Sequence, residues 1–261
     1  MTPTELASLL TAGHIRNHYQ PVVRLADRMP VGLEVLARLD HPTLGLLAPD
    51  LFVPLVEAAG LSFQLTQAVV TRAFADWTPA MLDDLDLSLA LNFPLDVLLQ
   101  PAALAWLEQR RAAAGIAAAR IGIELTESLP ITDHPELERA VAGIRGAGYT
   151  LAIDDVGPGV RQAQQLLGLG FAALKLDKGL VTGSRDDPRM AELLATTVAA
   201  AHGAGLIVIA EGVEDEANWQ RMLAAGVEQA QGYLIAQPMP PAAVQAWYRA
   251  WRAGLESAPT I

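Results

Sequence analysis

Asp154 and Asp155 close a short apolar run, Thr150-Leu151-Ala152-Ile153, and Gly157, Pro158 and Gly159 follow almost at once. A short apolar run bounded by turn residues reads as a buried strand that hands over to a loop. Two adjacent carboxylates in a site shielded from water repel each other, so the pair calls for positive charge between them. A divalent cation is the economical source, because hard ions such as Mg2+ take oxygen ligands. A solvated Asp-Asp turn that merely ends a strand needs no such partner, and the pair alone does not separate the two readings.

The pattern recurs along the chain. Polar residues stand at or near the ends of successive apolar runs: Glu34, Asn92, Glu124 with Glu127, Asp154 with Asp155, Lys175 with Asp177, Glu211 with Glu214, and Gln231. Brought to one place they form a dense negative cluster in need of counter-charge. An oxygen-rich cluster without His or Cys suits Mg2+ or Mn2+, not zinc. Two ions sharing Asp154 would make a two-metal hydrolytic site.

Lysine is a second clue. The chain has 18 Lys plus Arg, yet its lysines are Lys175 and Lys178 alone. An ammonium inside an apolar strand is a compact point charge able to hold a hydroxide or a phosphoryl oxygen. Its plainer role would be to neutralise surplus carboxylate. His14, His41, His134 and His202 show no metal spacing, and Ser128 and Ser184 have no His/Asp partners in view for nucleophilic catalysis.

The elements that must position these groups alternate. Helices are expected at 1–16, 49–59, 62–77, 101–114, 135–147, 161–168, 188–203, 215–225 and 241–253. Strands are expected at 19–25, 31–39, 85–92, 120–126, 150–155, 173–177, 206–211 and 231–234. The first two strands are joined by the short turn Ala26-Asp27-Arg28, which allows an antiparallel hairpin. After them, strand–helix alternation implies parallel strands joined by crossovers. Eight strands fit a TIM-like (β/α)8 barrel, whose C-terminal strand ends open on one mouth where chemistry sits. A doubly wound sheet lacks its Gly-rich phosphate loop here.

Composition agrees. The 261 residues are 52% hydrophobic and 18% charged, as in a globular chain of one large domain. A formal charge of −11 argues against nucleic-acid polymers and anionic membranes as partners. The absence of cysteine removes disulfides and thiol chemistry. With no signal-peptide pattern and no run long enough for a membrane span, a cytoplasmic protein is expected.

The ordered motifs resemble those of EAL-type cyclic di-GMP phosphodiesterase domains from about Tyr19 to Met239. They are Tyr19-Gln20-Pro21, Glu34-Val35-Leu36-Ala37-Arg38, Phe52-Val53-Pro54-Leu55-Val56-Glu57, Leu91-Asn92 and Glu124-Leu125-Thr126-Glu127-Ser128. Asp154-Asp155-Val156-Gly157, Leu174-Lys175-Leu176-Asp177, Ala210-Glu211-Gly212-Val213-Glu214 and Gln231-Gly232-Tyr233-Leu234 complete them. The resemblance implies one barrel domain over 1–261 with an antiparallel first strand, a helix in 1–18, and a helix and tail in 241–261. It implies opening of cyclic di-GMP to linear 5′-pGpG by water activated between two Mg2+ or Mn2+ ions. Glu34, Asn92, Glu124 and Asp154 would hold the first ion, and Asp154 and Asp155 the second, with the catalytic Glu211 close to it or acting through water. Lys175 would orient the water, with Gln231 nearby. Gln20, Arg38, Asp177 and Glu214 would contact the dinucleotide, and Glu127 would anchor the loop after Asp155. A homodimer through the barrel face beside that loop is also implied.

The chain departs from the family pattern in two places. Val35 replaces the Ala of the signature, a small apolar change. The loop after the Asp pair, commonly Asp-Asp-Phe-Gly-Thr/Ser-Gly-Tyr-Ser-Ser, reads Asp154-Asp155-Val156-Gly157-Pro158-Gly159-Val160-Arg161-Gln162. Aromatic packing and hydroxyls are lost, and Pro158 fixes φ and removes a donor. The expectation is a slow enzyme, or alternatively a receptor that binds cyclic di-GMP without cutting it.

Overall fold

The computed structural model describes residues 1–77, 85–126, 133–158 and 166–256. Nine strands form one sheet: β1 (Ile15–Arg24), β2 (Pro30–His41), β3 (Gly45–Leu47), β4 (Ser88–Pro94), β5 (Ile121–Thr126), β6 (Thr150–Val156), β7 (Ala173–Leu176), β8 (Ile207–Ala210) and β9 (Gln229–Ala230). Eight of them close into a barrel, because β1 pairs with both β2 and β9, while β3 hangs on the outside of β2. β1 is antiparallel to both of its neighbours and every other barrel pairing is parallel. The barrel and its antiparallel first strand are therefore as the sequence implied.

Around the barrel run α1 (Pro3–Thr11), α2 (Pro49–Ala58), α3 (Ser62–Asp76), α4 (Leu95–Leu98), α5 (Pro101–Ala114) and α6 (His134–Gly146). They are followed by α7 (Lys178–Gly183), α8 (Pro188–Gly203), α9 (Glu216–Ala224) and α10 (Pro241–Glu256). Side-chain caps fix several starts: Thr2 and Glu5 form a capping box on α1, and Asp133, Asp187 and Asp215 cap α6, α8 and α9. Such caps satisfy amide donors that a helix leaves unpaired.

Period-two alternation decides which strand residues look into the barrel. Val22, Ala152, Ala173 and Ile209 form a small apolar cluster of their own, separate from the main core between barrel and helices. One step of the alternation away lie Gln20, Asp154, Lys175 and Glu211. The interior is thus an apolar plug with a polar layer above it.

Three expectations are corrected. The first helix ends at Thr11, and β1 already begins at Ile15 where helix was expected up to residue 16. The strand expected over 85–92 begins only at Ser88 and runs to Pro94. The last barrel strand is Gln229–Ala230, and residues 231–234 turn instead of continuing it. There Val213 N–H donates to the Gln231 carbonyl at 3.0 Å and Leu234 N–H to the Val213 carbonyl at 3.1 Å. A Cβ on Gly232 would stand 2.2 Å from the Val213 carbonyl oxygen, so only glycine permits this approach. The helix expected at 161–168 falls mostly outside the described residues. Among the described residues no helix is long and apolar enough to cross a membrane.

Candidate active site

Lys175 lies fully buried on β7, at the centre of the polar layer. Its Nζ stands 2.7 Å from Glu211 Oε1, 3.0 Å from Glu124 Oε2, 3.0 Å from Asp154 Oδ1 and 3.4 Å from Glu34 Oε2. Burial opposes an ammonium, but these carboxylates outweigh it and hold Lys175 protonated, well above its ordinary pKa.

One ammonium cannot satisfy all of its acidic neighbours. Burial, followed by the charges of Glu34 and Asp154, raises Glu124 well above the usual carboxylate range even against the pull of Lys175. Burial likewise raises Asp154, and pushes Glu211 up to about 8. Asp155 is pushed up to about 6, first by desolvation and then by Asp154. Glu34 alone is lowered: burial works against it, but Lys175, Asn92 and Gln231 stabilise its charge.

The amides orient this layer. Asn92 Nδ2 donates to Glu34 Oε1 at 2.8 Å, and Gln231 Nε2 donates to Glu34 Oε2 at 2.7 Å and to Gln20 Oε1 at 2.8 Å. Gln20 in turn donates from Nε2 to the Ala236 carbonyl at 3.1 Å, which ties the middle of β1 to the segment after β9. At the end of β6 the pairing with β7 shifts register between Ile153 and Val156. Asp155 sits within that irregularity at φ 54°, in the left-handed region, and its N–H donates to Asp154 Oδ1 at 3.0 Å. The kink turns successive carboxylates toward one mouth, where plain alternation would send them to opposite faces.

These residues suit divalent cations. Carboxylate oxygens of Glu34, Glu124 and Asp154 lie within 4.8 Å of one another, and so do those of Asp154, Asp155 and Glu211. Both sets are all-oxygen, they share Asp154, and their combined negative charge exceeds what Lys175 supplies. The buried Oε1 of Gln231 has no hydrogen-bond partner, a further acceptor turned into the same layer. Hard cations take such oxygen ligands.

Above the layer opens a cleft of about 590 Å³. Gln20, Glu34, Asn92, Asp154, Asp155, Glu211, Glu214 and Gln231 line it, with Glu124 and Lys175 in the ion-pair layer beneath. Two of the expected substrate contacts make local backbone bonds in this structure. Arg38 is half-buried on β2 outside the cleft lining, with Nη1 donating to the Ala37 carbonyl at 2.8 Å. Asp177 caps α7, its Oδ1 accepting from the N–H groups of Gly179 and Leu180 at 2.8 and 3.3 Å. Glu214 holds Lys178 at 2.6 Å. Glu127 and the loop residues from Gly159 to Gln165 fall outside the described residues.

Sequence reasoning gave no role to several cleft residues. Asp50, Val53, Pro54 and Glu57 line it from α2, Leu65, Thr66 and Val69 from α3, and Tyr233 and Lys178 from the rim. The helical spacing of positions 50, 53, 54 and 57 was a legible signal of one shared face. Which way that face pointed was not.

An α/β barrel with an acidic, lysine-centred mouth at the C-terminal ends of its parallel strands defines the class. A family model described as the EAL domain matches residues 4–238, and the chain belongs to this family. It is 33% identical over 258 residues to the cyclic di-GMP phosphodiesterase NbdA of Pseudomonas aeruginosa, covering 98% of this chain and 33% of that protein. It is 30% identical over 231 residues to the cyclic di-GMP phosphodiesterase PA2567 of the same organism, covering 88% and 39%. The chain thus spans about a third of the length of the curated relatives it matches. Among solved structures, the PaMucR phosphodiesterase in complex with c-di-GMP superposes with a TM-score of 0.85 at 27% identity, over 92% of this chain and 98% of that one. The EAL enzyme Bd1971, at 24% identity and a TM-score of 0.84 over 94% of this chain and 69% of that one, shares the fold.

Proposed function

We propose that this domain is a Mg2+- or Mn2+-dependent phosphodiesterase that opens cyclic di-GMP to linear 5′-pGpG. The observation that carries the reading is the pair of carboxylate triads sharing Asp154, with Lys175 among them. The named activity of two relatives and the bound c-di-GMP of a third support the choice of substrate.

Glu34, Asn92, Glu124 and Asp154 would hold one ion, and Asp154, Asp155 and Glu211 the other. When bound, the two ions would lower the pKa of a water and neutralise phosphoryl charge. Lys175 stays protonated and immobile, so it serves as a fixed positive post that orients the attacking oxygen, not as a base. Glu211, held 2.7 Å from Lys175 Nζ, would be deprotonated once the second ion binds, and from there it would steer the attacking water. Asn92 and Gln231 fix Glu34, Gln20 accepts from Gln231, and Gln20 and Gln231 would present their amides to the substrate. Arg38 supplies a cation for a phosphate once its side chain swings from the Ala37 carbonyl, and Glu214 and Asp177 contact the dinucleotide from the rim. By the same resemblance Glu127 would anchor the loop after Asp155, and a homodimer contact beside that loop belongs to this reading.

The intact cluster supports an enzyme over a receptor that binds without cutting, since binding alone needs no such concentration of carboxylate around Lys175. The test is incubation with cyclic di-GMP and Mn2+, following linear product against a Lys175→Ala control. Binding without product in the parent protein would leave the receptor. Sedimentation with and without nucleotide checks the dimer.

A further inference from the structure

Asp50 lies in the first turn of α2, and with Val53, Pro54 and Glu57 it forms the side of that helix facing the cleft. An acid in a first turn is favourable through the helix dipole alone, so its position in the helix says nothing about a ligand. Its surroundings do. Glu34, Asp154 and Glu211 are tied to Lys175, and Glu214 to Lys178. Asp50 has neither a hydrogen bond nor an ion pair from its carboxylate among the described residues. It is an exposed acceptor beside the apolar surface of Val53 and Pro54.

A free carboxylate in the wall of a site for a dianionic dinucleotide is unfavourable unless it accepts hydrogen bonds from that ligand. Apolar surface beside two acceptor oxygens suits a planar heterocycle with two donors side by side on one edge. Guanine presents N1–H and the N2 amino group there, one to each oxygen. Adenine presents the N1 lone pair at the same place, which a carboxylate repels. Arg38 lies within electrostatic reach of Asp50, which moderates the repulsion between that carboxylate and the phosphates. We infer that Asp50 is a specificity-determining residue that reads the N1–H and N2–H edge of one guanine of the substrate. This rests on the cyclic dinucleotide reading above.

The test compares cyclic di-GMP with its inosine analogue cyclic di-IMP, which lacks only the N2 amino groups, and with cyclic di-AMP. Binding is measured with Ca2+ and turnover with Mn2+. A site built to hydrogen-bond a donor rejects the analogue lacking it, so the parent protein should prefer cyclic di-GMP to cyclic di-IMP by roughly tenfold or more. In Asp50→Ala that preference should fall about tenfold, because one amino group has lost a charged acceptor. Asp50→Asn, keeping one acceptor oxygen, should fall between them. Asp50 is exposed, so each variant should lose no more than the helix-dipole contribution, and a melting temperature within a few degrees of the parent confirms folding. An unchanged guanine-to-inosine ratio in Asp50→Ala, even with weaker binding of both ligands, overturns the assignment while leaving the phosphodiesterase reading in place. A parent protein that neither binds nor cuts any cyclic dinucleotide overturns both.

Discussion

Lys175 Nζ and Asp154 Oδ1 lie 3.0 Å apart on neighbouring strands, and Asp154 is also the carboxylate common to both acidic triads. The same side chain therefore faces a fixed internal cation and the two places where external cations would bind. Without added metal, Lys175 is the nearest counter-charge to the cluster. With metal bound, it would still hold Asp154 in place.

Lys175→Ala should lower turnover by orders of magnitude while substrate affinity stays within about tenfold, since the ammonium acts mainly on the attacking water. It also leaves buried carboxylates without their partner, a change of roughly 3–5 kcal/mol in stability when one member of a buried pair is removed. The melting temperature without metal should drop and added Mg2+ should restore much of it. Equal loss of affinity and turnover would count against the positioning role.

Metal dependence should carry a pH signature. Asp155 is raised from 3.8 to about 6 and Glu211 from 4.5 to about 8. A carboxyl with a raised folded pKa binds more protons folded than unfolded, so metal-free stability is lost as pH rises between the unfolded and folded values. Cations bind the deprotonated groups, so apparent metal affinity should rise over the same interval. Melting of the chelated protein from about pH 5 to about pH 8 should show the decline, and Glu211→Gln should flatten it. Activity that survives exhaustive chelation would defeat the two-metal reading, whereas Ca2+ should bind without supporting turnover.

Asp155→Gly should separate stability from function. Asp155 holds φ 54°, which glycine adopts without the Cβ penalty. Relief of that strain and removal of one like charge should stabilise the metal-free protein by about 1 kcal/mol, read as a higher midpoint in urea. Metal affinity and turnover should both fall, because a ligand has gone. A variant both less stable and fully active would contradict the role given to this residue.

The altered loop should show itself in metal preference. Val156 is buried at the end of β6, and Pro158 follows two residues later. A less firmly held second site should demand more metal and favour Mn2+ over Mg2+, since Mn2+ generally binds more tightly. Rebuilding the family pattern (Val156→Phe, Pro158→Thr, Val160→Tyr, Arg161→Ser, Gln162→Ser) should raise turnover and lower the metal concentration required. Because Val156 is already packed, the ring must displace neighbours, so the same set retaining Val156 is the informative companion. No gain from either would place the cause of slow turnover elsewhere.

The sequence by itself determined the barrel and the chemical character of its mouth. Strand-length apolar runs alternating with helices leave little choice but parallel crossovers, and a short turn after the first strand allows an antiparallel pair. Charged residues at the ends of those runs then have one mouth to share. Lys175 stood out because a lysine in an apolar strand is costly unless paired. Tertiary structure decided which of the polar residues meet. Asp154 and Asp155 both reach the mouth because of a register shift, a property of two strands pairing and invisible in either one. Gln231 aims at Glu34 because Gly232 lets the chain fold onto Val213 instead of continuing as a strand. Asp177 caps a helix and Arg38 donates to the Ala37 carbonyl, local backbone contacts that motif spacing alone does not reveal. The face of α2 carrying Asp50 was readable as a face, but its direction depends on how that helix packs beside the barrel, which is a contact between distant parts of the chain.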